Sequence, residues 1–460
     1  MMMRDICLIR FRALTPALIA MVLTAGACLA TPLDDYVAKP DTNYTYRVEG
    51  VADDDGYTAY SISMTSQQWR LDSEVDDTLW RHWVTVILPD EVSGSTALLW
   101  IAGGSSGQDA PPIDEGFAKV AVQSQSVVAI IKNVPHQPLL FADMSEPRAE
   151  DDIIAYTFDK YLNGGDAEWP LLLPMVKSAV RAMDTITRHI GDVTSGKVAV
   201  DKFVVSGGSK RGWTTWLTAA VDSRVVAIAP AVIDVLKLDD QMRHHRAAYG
   251  FYSDAIAPYE KMNIFERLGS PKGDELSGIV DPYSYIDRLD MPKLVINGSG
   301  DQFFLSDSSR FYFHDLIGQK SLRYIPNTDH KLNGSARDSL AAFYLSILES
   351  KPMPEFSWSI SPGNGRIVVE TSTVPQAVKV WRADNPSVRD FRLETIGPVW
   401  RSLPLVANEA GGYVANVDVP SKGWTAFFVE LTFDAGHGMS HVLTTDISVV
   451  PDRLPFPSDR

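Results

Sequence analysis

The chain has 460 residues, a hydrophobic share of 45% and a formal net charge of −16. Such acidity argues against a nucleic-acid partner and against electrostatic binding to anionic membranes. The length and apolar content allow a sizeable core divided among two or three folding units.

The first 30 residues carry Arg4, Arg10 and Arg12 ahead of an apolar run from Ala13 to Ala27. These are the basic and hydrophobic parts of a signal peptide. The run is shorter than the ~20 residues that span a bilayer as a helix. Two exits stay open. Ala25-Gly26-Ala27 before Cys28 has the small residues of a lipoprotein site, which would make Cys28 a lipid-anchored N-terminus, although Leu is absent three positions before it. Otherwise a peptidase cuts after Ala27 or Ala30. Either route exports the protein, to the periplasm, the outer membrane or beyond. Cys7 and Cys28 are the two cysteines, and both lie in this leader. The mature chain therefore depends on its core and not on disulfides.

Strand patterns follow at Tyr57 to Met64, His82 to Leu88 and Ala97 to Ala102. The first two read as an antiparallel pair joined through the polar stretch from Gln67 to Thr78. Asp53-Asp54-Asp55-Gly56 looks like the start of a calcium loop, but the downstream ligands are missing and a solvated turn is the better reading. The third strand runs into Gly103-Gly104-Ser105-Ser106-Gly107, a turn that leaves bare backbone at the strand end. Val127 to Ile131 is another buried strand. Helical patterns occupy about 149–162 and 170–190, with Asn163-Gly164-Gly165-Asp166 between them. Glu150, Asp151 and Asp152 fall in a first helical turn, where acids suit the helix dipole. That reading is preferred to an acidic substrate-binding cluster.

Residues 203–212 read Phe-Val-Val-Ser-Gly-Gly-Ser-Lys-Arg-Gly, and Trp213, Trp216, Leu217 and Ala220 continue at helical spacing. Strand, sharp turn and helix with a serine at the corner make the nucleophile elbow of α/β-hydrolases. The pattern here is G-x-S-x-x-G, because Arg211 stands where a glycine is usual. A strand follows at 224–233. Residues 236–290 show no strand pattern and interrupt the sheet where hydrolases carry a helical lid. His244-His245 within them has no second ligand pair at metal-binding spacing. Residues 292–301 form an apolar strand that ends at Asp301, and 321–330 a short strand and loop that end at His330. Ser209, Asp301 and His330 thus occur in hydrolase order, each just after a strand. Asp329 is an alternative acid without a strand-end position. The backbone amides of Lys210 and Gly104 are the expected oxyanion-hole donors. Trp213 and Tyr283 are expected to line the substrate pocket, with core packing the alternative for the tryptophan. The scheme requires neither a metal nor a cofactor.

After Lys351 the texture changes. Pro352 and Pro354 break the chain. Short alternating strands follow at Arg366 to Glu370, Ala377 to Arg382, Phe391 to Glu394, Tyr413 to Val419, Thr425 to Phe433 and His441 to Val449. Their spacing predicts an immunoglobulin-like β-sandwich. The expected plan is a signal peptide over 1–30, an α/β-hydrolase domain over 31–350 with an insertion at about 236–290, and a β-sandwich over 351–460.

Several motifs carry a resemblance: Met64-Thr65-Ser66-Gln67 with Trp69, Trp80-Arg81-His82-Trp83, Glu150-Asp151, Leu173-Pro174-Met175, Gly207-Gly208-Ser209-Lys210-Arg211-Gly212-Trp213, Asp281-Pro282-Tyr283, Asp301-Gln302-Phe303-Phe304 and Arg389-Asp390-Phe391-Arg392. Together, from about Leu33 to Pro451, they resemble the PhoPQ-activated pathogenicity-related protein family. The resemblance implies an α/β-hydrolase fold, export in bacteria and a link, in some members, to antimicrobial-peptide resistance. It implies no settled substrate. The elbow is also similar to that of glucuronoyl esterases, which carry a basic residue after the serine. By that similarity Lys210 is expected near the oxyanion, and Arg211 in an internal ion pair. The function expected is a serine hydrolase acting on a small-molecule or peptide ester or amide. A serine peptidase and a non-catalytic envelope binding protein with a hydrolase shell remain the alternatives.

Overall fold

Alternation along one strand shows how the main sheet is built. In the segment after Lys202, Phe203 and Val205 face one apolar core and Val204 the opposite one, as successive strand side chains must. A strand apolar on both faces belongs inside a sheet covered on both sides. A computed structural model of the protein, describing residues 30–361 and 363–456, contains this sheet. The leader, with Cys28 and its cleavage sites, lies outside the described residues.

The strands of the sheet are β1 (Thr45–Asp54), β2 (Tyr57–Gln68), β3 (Leu79–Pro89), β4 (Thr96–Ile101), β5 (Val128–Ile131), β6 (Lys202–Gly208), β7 (Val225–Ala231), β8 (Lys293–Gly298) and β9 (Lys320–Ile325). Their order is β1-β2-β3-β5-β4-β6-β7-β8-β9. β1, β2 and β3 form an antiparallel meander joined antiparallel to β5. From β5 to β9 every neighbouring pair is parallel. This is the α/β-hydrolase arrangement, with every strand bearing a candidate catalytic residue in the parallel part. The triple aspartate before Gly56 is the β1–β2 hairpin turn, with Asp54 opposite Tyr57. β1 itself is mostly exposed, and its short alternation of Tyr46 and Val48 with Arg47 and Glu49 is interrupted by a bulge between Val48 and Gly50.

The helices are α1 (Pro32–Ala38), α2 (Glu115–Ser124), α3 (Asp151–Leu162), α4 (Leu172–Val193), α5 (Lys210–Val221), α6 (Leu238–Tyr249), α7 (Ala257–Lys261), α8 (Pro271–Val280) and α9 (Gly334–Leu348). The buried residues of α1, α3, α4 and α5 share the core that holds Phe203, and those of α2 and α9 share the core that holds Val204. The insertion between β7 and β8 consists of α6, α7, α8 and short 3-10 turns, without a strand.

The C-terminal region contains β10 (Phe356–Ser361), β11 (Arg366–Thr371), β12 (Ala377–Asn385), β13 (Arg401–Pro404), β14 (Tyr413–Asn416), β15 (Trp424–Gly436), β16 (Met439–Thr444) and β17 (Ser448–Val450). They form two antiparallel sheets, β10-β11-β14 and β13-β12-β15-β16, with β17 also on β15. Two sequence expectations need correction. Phe391 to Glu394 is not a strand. Leu393 N–H bonds to the Gly300 carbonyl of the catalytic region at 2.9 Å, and a one-turn helix follows at Leu393–Ile396. The strand expected from His441 to Val449 is broken between β16 and β17. There Asp446 turns inward to accept hydrogen bonds from Ser309 at 2.6 Å and the Trp358 indole at 3.0 Å.

Candidate active site

The corner at Ser209 is strained, as a sharp strand-to-helix turn demands. Its φ is 59° and its ψ −134°. Its N–H bonds to the Ala231 carbonyl of the adjacent strand at 2.8 Å, and its own carbonyl accepts from Trp213 N–H at 3.0 Å. The shifted glycine pattern has a steric cause. A Cβ at Gly207 would meet the Arg211 carbonyl oxygen at 2.8 Å, and one at Gly212 would meet the Ile233 side chain at 2.7 Å. The tight contacts are at these two positions, and position 211 is free to carry a side chain.

β8 and β9 present the other two candidates. His330 Nδ1 lies 2.8 Å from Asp301 Oδ2, and the buried Asp301 also accepts from Phe303 N–H at 2.7 Å. The Phe303 ring lies over the His330 ring at 4.1 Å. Asp329, the alternative acid, is engaged elsewhere and accepts from Lys331 N–H at 2.9 Å. Among the described residues His330 Nε2 is buried without a hydrogen-bond partner. His189 Nε2 and His245 Nδ1 are buried without a partner as well, so what sets His330 apart is its Nδ1 bond to the buried Asp301.

The surroundings of Lys210 and Arg211 match the sequence expectation for one cation and not for the other. Arg211 makes a two-pronged pair with Glu150, at 2.8 and 2.7 Å, and also donates to the Val134 carbonyl at 2.5 Å. Lys210 Nζ lies 2.7 Å from Glu150 and 2.9 Å from Asp151. The internal pair expected of Arg211 is therefore present. The Lys210 ammonium, expected near an oxyanion, is instead held by two carboxylates. Burial alone would raise the Glu150 carboxyl, but the Arg211 hydrogen bond and the Lys210 and Arg211 charges override it and hold it at about 2. Glu150 also has positive φ, at 55°, and its N–H bonds to the Gln137 side chain at 2.8 Å. Glu150 and Asp151 thus do more than favour a helix dipole. Two cations opening a helix were a signal for such carboxylates, but nothing in the sequence said which of the chain's acids they were.

Trp213 is 3% exposed and donates to the Val280 carbonyl at 2.6 Å while bordering the cavity beside Ser209. Tyr283 does not reach that cavity. Its hydroxyl donates to Asp315 at 3.0 Å, and Lys237 stands 4.5 Å from its ring centre. Phe303 and Phe304, expected only as part of a family motif, line the cavity instead. Of the two oxyanion candidates, Lys210 lies at the first position of α5 beside Ser209. Gly104 borders a neighbouring depression with Trp83 and Asn133, and its carbonyl accepts from Gln137 at 2.8 Å. Among the described residues neither backbone N–H has a hydrogen-bond partner. His244 and His245 are structural: the first lies 2.9 Å from Asp307, and the second accepts from Ser253 N–H at 3.1 Å.

Comparison with known proteins adds a lineage. The model of the PhoPQ-activated pathogenicity-related protein family matches residues 33–392. Autocrine proliferation repressor protein A of Dictyostelium discoideum is 34% identical over 472 residues, covering 96% of this chain and 95% of that protein. Among solved structures, acetyl xylan esterase 1 from Thermoanaerobacterium sp. JW/SL YS485 is similar at a TM-score of 0.45 and 16% identity, over 69% of this chain and 91% of that one. A glucuronoyl esterase from Solibacter usitatus is similar at 0.37 and 12%, over 69% and 91%. The acylaminoacyl peptidase of Pyrococcus horikoshii is similar at 0.39 and 11%, over 68% and 50%.

Proposed function

The chain belongs to the PhoPQ-activated pathogenicity-related protein family, and from that premise we propose that it is an exported serine hydrolase that cleaves an ester or amide through an acyl-enzyme. One observation carries the reading: His330 is bonded to Asp301 through Nδ1 and keeps Nε2 free, while the strained corner at the end of β6 exposes a serine. In this scheme Ser209 Oγ attacks the carbonyl carbon and its proton passes to His330 Nε2. Asp301 fixes the ring tautomer and stabilises the imidazolium. The backbone N–H groups of Lys210 and Gly104 receive the oxyanion, each contributing roughly 3 kcal/mol at good geometry. His330 then protonates the leaving group, and water repeats the sequence on the acyl-enzyme. The N-terminal leader carries the enzyme to the envelope or beyond, where its substrate class would link it to antimicrobial-peptide resistance.

The acid assignment is tested by exchange. Asp301→Asn is expected to fold and to lose about 10⁴-fold in kcat, with Asp329→Asn close to wild type. The opposite ranking would move the acid to Asp329.

A further inference from the structure

Two separate cavities border the candidate triad, one lined by Ser209 and the other by His330. Ser209 opens into a slot of about 40 Å³ between α5 and the insertion. Its walls are Trp213, Phe303 and, from the insertion, Leu238, Met242, Ile256 and Phe265. The charged groups at its edge, Lys210 and Asp151, are already paired with each other. On the other side His330 opens into a groove of about 730 Å³ between α2 and α9. Asp114, Lys331, Arg337 and Asp338 give that groove polar walls.

The chemistry assigns an end of the substrate to each cavity. The acyl carbon bonds to Ser209 Oγ, so the acyl chain projects from the serine. The leaving group takes its proton from His330 Nε2 as its bond to the acyl carbon breaks, so it departs on the histidine side. We infer that the substrate joins a compact apolar acyl group, held in the slot, to a polar leaving group, held in the groove; this rests on the hydrolase reading above. The slot offers the room of only a few water molecules, which favours short acyl chains. Its apolar walls leave a charged acyl group without a partner. The insertion is then the acyl selector, since it supplies most of the slot's apolar wall.

The test uses the full chain and p-nitrophenyl esters of acetate, butyrate, octanoate and hemisuccinate. Butyrate is expected to exceed octanoate and hemisuccinate in kcat/KM by at least about 10-fold, the scale of a hydrophobic pocket's discrimination. Met242→Ala, which widens the slot, is expected to recover octanoate selectively by about 10-fold, with Ile256→Ala as the second variant should the first not fold. A preference for hemisuccinate or octanoate, or a ranking that neither folded variant changes, overturns the slot assignment. Fluorophosphonate labelling of the wild type separates the two levels. A labelled enzyme with the wrong ranking defeats the slot alone, and an enzyme that does not label defeats the hydrolase reading and the slot with it.

Discussion

Two charge clusters, one partly exposed and one buried, lie near the candidate triad. Around the nucleophile corner, Arg211 and Lys210 pair with Glu150 and Asp151, two cations with two carboxylates, and the Glu150 side chain is still 43% exposed. On the acid side, Asp307 is 1% exposed and pairs with Arg389 at 2.6 Å, also 2% exposed, and with His244 at 2.9 Å. Burial would raise Asp307, but Arg389, His244 and Arg310 override it and hold it well below the usual carboxylate range. The first cluster lies wholly within the catalytic region. The second joins the two regions, because Arg389 belongs to the C-terminal one. The same C-terminal segment reaches both catalytic loops. Leu393 bonds to Gly300, beside Asp301. Trp400 N–H donates to Asn327 Oδ1 at 2.9 Å, and Asn327 Nδ2 returns a bond to the Trp400 carbonyl at 3.1 Å, three residues before His330. The charged groups beside Ser209 are thus paired within their own region, and the loops bearing Asp301 and His330 also bond to the C-terminal one.

Dryness decides the expected order of effects. Arg389→Met removes the buried cation of a 1% exposed carboxylate, leaving it His244 and Arg310, and should cost about 3 kcal/mol of stability. Removing both partners, with Asp307→Leu added, should recover much of that loss. Denaturant melts of the two variants check it, and a single variant as stable as wild type would remove the brace from the account. Arg211→Met should cost less, about 1–2 kcal/mol, since Glu150 keeps Lys210, Gln137 and partial access to water. Lys210→Met should cost less again, below about 1 kcal/mol, because Arg211 still holds Glu150. Equal losses from Arg389→Met and Arg211→Met would erase the distinction between the clusters.

Asp234 sharpens the same comparison, because it is buried and, among the described residues, its side-chain partners are Asn297 and Tyr312, with no ion pair. Asn297 donates to it at 3.1 Å and Tyr312 through a short hydrogen bond. Burial pushes its carboxyl up to about 7, with Asp301 and Asp446 adding to the rise against those hydrogen bonds. Between the ordinary carboxylate value and about 7 the folded chain binds more protons here than the unfolded one. Stability contributed by this group is therefore lost as pH rises through that window. Asp234→Asn should flatten stability between pH 4 and 7, a change of slope that thermal melts across that range detect. An unchanged slope would show that burial does not raise Asp234 above the ordinary carboxylate range.

The elbow, the strand ends and the order of serine, acid and histidine were legible in the sequence because each is a local pattern: an apolar run, a glycine corner, a residue just beyond. The parallel strands were legible for the same reason. β1 was not, since its alternation is limited to Tyr46 and Val48 before a bulge interrupts it. The charge clusters were not, because Glu150 meets Arg211 across 61 residues and Asp307 meets Arg389 across 82, and spacing carries no information over such separations. Tyr283 misled because an aromatic residue after a Pro suits a pocket wall and a surface turn equally well, and Lys237 with Asp315 decided for the turn.

The central claim is that Ser209 is the nucleophile. Intact-mass analysis after fluorophosphonate treatment of the wild type, Ser209→Ala and Ser206→Ala measures it most directly. The account predicts one adduct per chain on wild type and Ser206→Ala, located by peptide mapping at Ser209, and none on Ser209→Ala. An adduct that persists on folded Ser209→Ala, or that maps to any other serine, would contradict it.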